Sequence, residues 1–201
     1  MVFKFRSLHS KKILLLALLT APILAPLPSA HAEQRISSCF QLIAGMGVSV
    51  VGIHEAGHTI AALALGYSMK DIHYSFSSVD IYGLPVGSHD DKVIKMSGFA
   101  AQALSSEIIL GVDRIPKDNW FVAGILLGNI VHPMVYVARA EFGANARDFE
   151  GFSKKERGIA EALIVSDCLL TAYRVYTNKD FPIRILSTGR DIRLLWHKTF
   201  D

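Results

Sequence analysis

The sequence predicts a mainly α-helical domain with one small β element, arranged around a helix that carries His54, Glu55 and His58. Three observations predict it: long apolar stretches with few charges, one short stretch of two-residue alternation, and capping or stop residues at the stretch ends. With 201 residues, 51% of them apolar and 19% charged, the chain is too apolar for a disordered segment and too poor in charge for a nucleic-acid binder. It has to bury most of its length, in a core or in lipid.

Residues 1–32 read as a secretory signal: a basic start, the apolar run Ile13-Leu-Leu-Leu-Ala-Leu-Leu, and the small-residue end Ala30-His31-Ala32. An uncleaved membrane anchor is the alternative, and both send residues 33–201 to or across a membrane. Ile36-Ser37-Ser38-Cys39 matches a lipoprotein pattern only locally, because Glu33 and Arg35 separate it from the apolar run. The segment holds four of the 21 basic residues and no acid, which leaves 17 basic against 18 acidic residues in the remainder. The formal charge of +3 therefore belongs to the leader. Cys39 and Cys168 allow one disulfide or two buried thiols, and no CxxC pair is present. With no repeat, low-complexity tract or linker, residues 33–201 form a single domain.

The first predicted helix runs from about Phe40 to Gly66, with no Asp, Glu, Lys or Arg between Arg35 and Glu55. From Asp71 to Tyr82, Ile72, Tyr74 and Phe76 alternate with His73, Ser75 and Ser77, and Val79 and Ile81 suggest a second short strand. His73 is expected at the surface. Gly83, Pro85 and Gly87 end this element. A second helix is expected over Asp91–Leu110, stopped by Gly111, and a third from Asp118 as cap to Phe142. A fourth runs from Lys154 to Tyr176 with Ser153 as cap. The tail from Phe181 to Asp201 is more polar and gives no clear element.

His54-Glu55-Ala56-Gly57-His58 carries the chemistry. Helical residues four apart share a face, so His54 and His58 can direct imidazole nitrogens at one metal ion, while Glu55 stands about 100° round the axis. Zinc held by two His and a third protein ligand keeps one position for water and lowers its pKa, with the Glu as general base. Such a pattern arises by chance about once in a hundred chains of this composition. A pair of hydrogen-bonded core histidines beside a salt-bridged Glu is the bland alternative, but such groups are costly to bury in a helix of Val, Ile, Ala, Leu and Gly.

Val48-Ser-Val-Val-Gly-Ile-His-Glu-Ala-Gly-His-Thr-Ile-Ala-Ala-Leu-Ala-Leu-Gly66 resembles the metal-binding helix of the zinc metalloproteases called gluzincins. The helix followed by a strand is similar to the site-2 intramembrane proteases. The HEAGH wording with Ser106-Glu107-Ile-Ile-Leu-Gly111 is similar to the protease domain of membrane-bound AAA proteases. These likenesses cover residues 48–120 at most. The Asn-Pro-Asp-Gly element of the site-2 proteases and a phosphate-binding Gly-x-x-x-x-Gly-Lys-Ser/Thr loop are missing. What the resemblance implies is a zinc-dependent hydrolase.

Glu107 ranks first as third ligand, since it is the only charged residue between Lys95 and Asp113 and a lone carboxylate in so apolar a helix needs a cation. A gluzincin-like site also takes a Glu from a following helix. Asp118 is the rival that the AAA-protease likeness implies, and Asp148 the rival that a site-2-like order implies; otherwise Asp118 is a helix cap and Asp148 a loop acid. His132, beside Pro133, is a core residue at a proline kink or an oxyanion donor, the former preferred. The strand can line the cleft and pair with an extended peptide.

The expected function is zinc-dependent peptide hydrolysis, with Zn2+ on His54, His58 and Glu107, Glu55 as catalytic base, a polypeptide substrate and no nucleic-acid partner. A non-catalytic metal-binding scaffold on a degenerate protease fold, or a zinc hydrolase of a non-peptide amide, are the alternatives. Residues 119–138 carry no Asp, Glu, Lys or Arg, a length that spans a bilayer, and contain the close-packing pattern Gly124-Ile-Leu-Leu-Gly128. A buried helix of a soluble domain explains the same residues, and the fourth helix, with Glu161, Asp167 and Arg174, reads as too polar for lipid. Membrane association is preferred, with an exported, periplasmic or membrane-bound location.

Overall fold

The computed structural model describes residues 32–75, 78–143, 146–187 and 192–196, so residues 1–31 of the expected export signal lie outside the described residues. The chain divides into two units, Met1–Cys39 and Phe40–Asp201. Of the first, the described residues are the opening turns of helix α1 (Ala32–Gly47).

The uncharged run read as one helix is helical throughout but changes pitch. Helix α1 passes into a π-helical stretch, Val48–Ile53, and then into α2 (His54–Ala64). The His54 backbone N–H donates to the Ser49 carbonyl five residues back, the bond that defines a π turn. Leu65 caps α2, and Gly66, at φ +94°, turns the chain in a conformation open to glycine. The Ser68 backbone N–H and hydroxyl both donate to the Asp71 carboxylate, which holds it below the usual carboxylate range.

Strands β1 (Ile72–Ser75) and β2 (Ser78–Ile81) pair antiparallel, with Ile72 opposite Ile81. Phe76 and Ser77, part of the alternation read in the sequence, fall outside the described residues. Ile72 is buried with Ala62 and Ile94, and His73 is exposed as expected. Helix α3 (His89–Gly111) starts at Ser88, whose side chain accepts the Asp91 N–H. Helix α4 (Trp120–Glu141) is capped by Asn119, whose side chain accepts the N–H groups of Phe121 and Val122. The cap therefore sits one residue beyond Asp118. After a 3-10 turn, Arg147–Phe149, helix α5 (Lys154–Thr177) opens with a reciprocal capping box between Ser153 and Glu156. The tail forms a second hairpin, β3 (Ile183–Ser187) with β4 (Ile192–Trp196), which the sequence did not indicate.

Small residues let the helices approach closely. A Cβ on Gly124 would meet the Leu42 carbonyl, and one on Gly128 would lie 2.6 Å from the Ser49 Cβ, so the Gly124-x-x-x-Gly128 pattern serves as a packing seam. One apolar cluster joins Phe99 of α3, Ala140 of α4, Phe149 of the 3-10 turn, and Ala160, Ile164 and Cys168 of α5. Burial of Phe149 fixes the neighbouring residue, Asp148, against the helices. Both cysteines are free thiols.

Three helical stretches, Ile36–Ala64, His89–Gly111 and Trp120–Glu141, are long and apolar enough to cross a membrane. In their most apolar windows only 17%, 33% and 33% of the residues are buried inside the protein, so their apolar character does not serve the core alone.

Candidate metal centre

Helix α2 delivers two imidazoles from one face, as the four-residue spacing requires. His54 and His58 are 3% and 4% exposed, and their Nε2 atoms lie 3.1 Å apart. Asp148 approaches from the 3-10 turn, with Oδ2 3.2 Å from His54 Nε2 and Oδ1 4.0 Å from His58 Nε2. These three side chains form a group that can hold a metal ion. Donor atoms 2.0–2.2 Å from a tetrahedral zinc stand about 3.3 Å from one another, so the His54–His58 separation and that of His54 from Asp148 Oδ2 fit directly, while His58 meets Asp148 at a longer distance.

Hydrogen bonds fix which nitrogens are free. The His58 Nδ1 is 2.6 Å from the Ile94 carbonyl, which can only accept, so Nδ1 carries the proton. Gln102, 1% exposed, donates from Nε2 to the Ser49 hydroxyl oxygen at 3.0 Å, and its Oε1 therefore faces the histidines. His54 Nδ1 donates to that oxygen at 3.2 Å and His132 Nδ1 at 3.3 Å. Both Nε2 atoms of the pair are then lone-pair donors facing each other and a carboxylate oxygen. Such a set is held together by a proton or a metal cation among its members, and the Nδ1 contacts are of the kind that orients metal-bound histidines.

The outer shell continues inward through a buried polar chain. Ser49 Oγ donates to Asn129 Oδ1 at 2.6 Å, and Asn129 Nδ2 donates to the Ser105 and Ser106 hydroxyls at 2.6 and 2.9 Å. Ser49, fully buried, enters this chain from the π stretch. Tyr136 accepts the Asp148 backbone N–H at 3.0 Å and so fixes the 3-10 turn on α4. Glycine makes room for the rings: a Cβ on Gly98 would lie 2.6–2.8 Å from three atoms of the His54 imidazole.

Glu55 lines the same cavity, of about 540 Å³, with Val50, Ser78, Val79, Tyr136 and Arg147 among the other walls. The Val79 backbone hydrogen-bonds to Glu55, yet Glu55 Oε2 is buried with no hydrogen-bond partner. A buried orphan carboxylate oxygen beside three metal-type donors calls for a proton donor such as a water. Arg147 ties the turn that carries Asp148 to strand β2, donating to the Ser78 hydroxyl at 3.4 Å and standing 3.9 Å from Asp80.

The sequence-predicted residues divide accordingly. His54, Glu55 and His58 come together at this cavity, whereas Glu107, ranked first as third ligand, is 49% exposed and paired with Arg174. The cation its apolar helix demands is therefore an arginine of α5, and the third donor in the cluster is Asp148. Asp118 lines a different cavity, with Leu110, Ile115, Asn178 and Asp180. His132 stands beside the centre, its ring centroid 4.7 Å from that of His54. With its proton on Nδ1, His132 presents Nε2 as an acceptor, and it stands half-buried on the wall of the same cavity. Gln102, Ser49 and Tyr136 were not singled out by the sequence; a Gln among Ala and Ser in an apolar helix was the available signal.

Comparison with protein-family models, with curated proteins and with solved structures gives no match for this chain.

Proposed function

We propose that this chain is a membrane-embedded, zinc-dependent peptidase. The observation that carries the reading is the meeting of His54 Nε2, His58 Nε2 and an Asp148 oxygen with both Nδ1 atoms already committed to outer-shell acceptors. His54, His58 and Asp148 would hold the zinc, two imidazoles and a carboxylate being a donor set that zinc accepts. When bound, zinc supplies Lewis acidity and brings the pKa of its water toward neutrality.

The chain's own residues do the rest. Glu55 takes the proton of the attacking water with its otherwise unpartnered oxygen and passes it to the leaving amine, a transfer worth typically 10²–10⁴-fold in rate. A peptide is favoured over other amides by strand β2, whose residues 78–80 line the cavity and which, among the described residues, pairs with β1 alone. An extended chain can add to its other edge. The exposed apolar surface of the three span-length helices supports placement in a bilayer, and the basic, apolar leader of residues 1–32 supports export.

The test is Glu55→Gln in the purified full chain. The variant should retain zinc to the wild-type stoichiometry and lose cleavage of a peptide library by at least about 10²-fold. Unchanged cleavage would refute the assignment of Glu55, and chelator-insensitive cleavage by the wild type would refute the metal.

A further inference from the structure

Helix α5 carries Arg157, Glu161, Asp167 and Arg174, and by composition alone it does not belong in lipid. Its side chains are sorted differently. Ala160, Ile164, Cys168, Thr171 and Val175 form the buried face. Ile159, Leu163, Leu170 and Tyr173 recur on the opposite face at helical spacing and are 54%, 64%, 53% and 65% exposed. The helix thus has two apolar faces, one of them uncovered.

The charges stay off that outer face. Arg157 bonds Glu161 at 2.7 Å and Glu141 at 2.9 Å, Arg174 pairs with Glu107, and Asp167 lines a groove with Met96, Phe99 and Asn129. Between Gly158 and Tyr173 the outer stripe consists of Ile159, Ala162, Leu163, Ser166 and Leu170. From Ile159 to Tyr173 it rises about 21 Å, most of a hydrocarbon core of about 30 Å. Lys154 and Lys155 stand at one end and Tyr173 and Tyr176 at the other, the residue types that anchor a helix at headgroup level.

We infer that the outer face of α5 lies against lipid acyl chains, making α5 a fourth intramembrane helix beside the three of span length. The inference rests on the membrane placement proposed above and extends it to the helix that composition excludes. Continuity decides for lipid over a protein partner. The groove of about 240 Å³ between α3 and α5 is walled mainly by apolar side chains, Ala100, Ala103, Leu163 and Ile164 among them, with Asp167 and Asn129 its polar members, so the α5 stripe continues into the wall of α3, where Leu104 is also exposed. A partner helix would cover one stripe, whereas lipid covers a surface that runs on from helix to helix.

The experiment places a nitroxide spin label at Leu163→Cys and, separately, Leu170→Cys in the full chain with Cys39→Ser and Cys168→Ala, reconstituted in phosphatidylcholine vesicles. Ile108→Cys on α3 is the reference for the membrane placement itself. Collision with molecular oxygen, which partitions into acyl chains, is compared with collision with a water-soluble nickel chelate. The inference expects oxygen collisions severalfold above nickel collisions at 163 and 170, as at 108. Nickel-dominated collisions at 163 and 170 with an oxygen-dominated 108 would overturn it and leave the membrane placement standing. Low collision rates with both reagents would mean a second copy or another protein covers the stripe, which also overturns it. Nickel-dominated collisions at all three positions would overturn the inference and the membrane placement together. Two separate label sites keep the test informative if one variant fails to fold.

Discussion

At the scale of single residues, the centre depends on acceptors that hold the imidazoles in one tautomer. Gln102 is the most connected of these: its Oε1 takes Nδ1 protons from His54 and His132 while its Nε2 is anchored on Ser49. Gln102→Leu should therefore lower zinc affinity by about 10–100-fold, read by competition with a chelator, whereas Gln102→Glu, which keeps the acceptor toward the histidines and loses only the donor to Ser49, should restore part of it. The sequence made His54, Glu55 and His58 legible because their relation is local, fixed by the pitch of one helix. Asp148 lies 94 residues from His54, and only folding of the 3-10 turn onto α4 brings it there. The lone carboxylate of Glu107 in an apolar helix does need a cation, and Arg174, 67 residues further on and so invisible to local pattern, supplies it.

At the scale of elements, the packing of α1 and the π stretch on α4 sets where the metal helix stands. Gly124 has no room for a side chain against the Leu42 carbonyl. Gly124→Val should cost about 1–3 kcal/mol, observed as a lower melting temperature in detergent, while Gly158→Ala, where a Cβ meets nothing within 4 Å, should not destabilise the fold. The Gly124-x-x-x-Gly128 spacing, the Ser153 cap and the hairpin alternation were legible because each is a local rule of helix or strand geometry. The π stretch was not. Val48, Val50, Val51 and Ile53 suit an ordinary apolar helix equally well, and the shift to a five-residue bond is justified only by the tertiary contacts of Ser49. For α5 the limit is related: composition records how many charges a helix has, and only the fold records which way they face.

At the scale of the whole molecule, the excess of apolar residues is divided between small clusters and an outer surface of unusual extent. Leu65, Leu104, Ile108, Phe121, Met134 and Val135 are all exposed. A water-soluble domain rarely leaves so much apolar surface uncovered. The full chain should therefore stay in the membrane fraction through alkaline carbonate washing and leave it only with detergent; recovery in the carbonate supernatant would contradict the membrane placement. In such a setting the buried chain from His54 through Gln102, Ser49 and Asn129 to Ser106 is understandable, because polar side chains away from water must satisfy one another. The most direct test of the account is the zinc affinity of Asp148→Ala beside that of Glu107→Ala in the purified full chain. The account expects Asp148→Ala to lose more than the roughly 100-fold typical of an outer-shell change and Glu107→Ala to bind as the wild type does. Wild-type affinity in Asp148→Ala, with loss in Glu107→Ala, would contradict it.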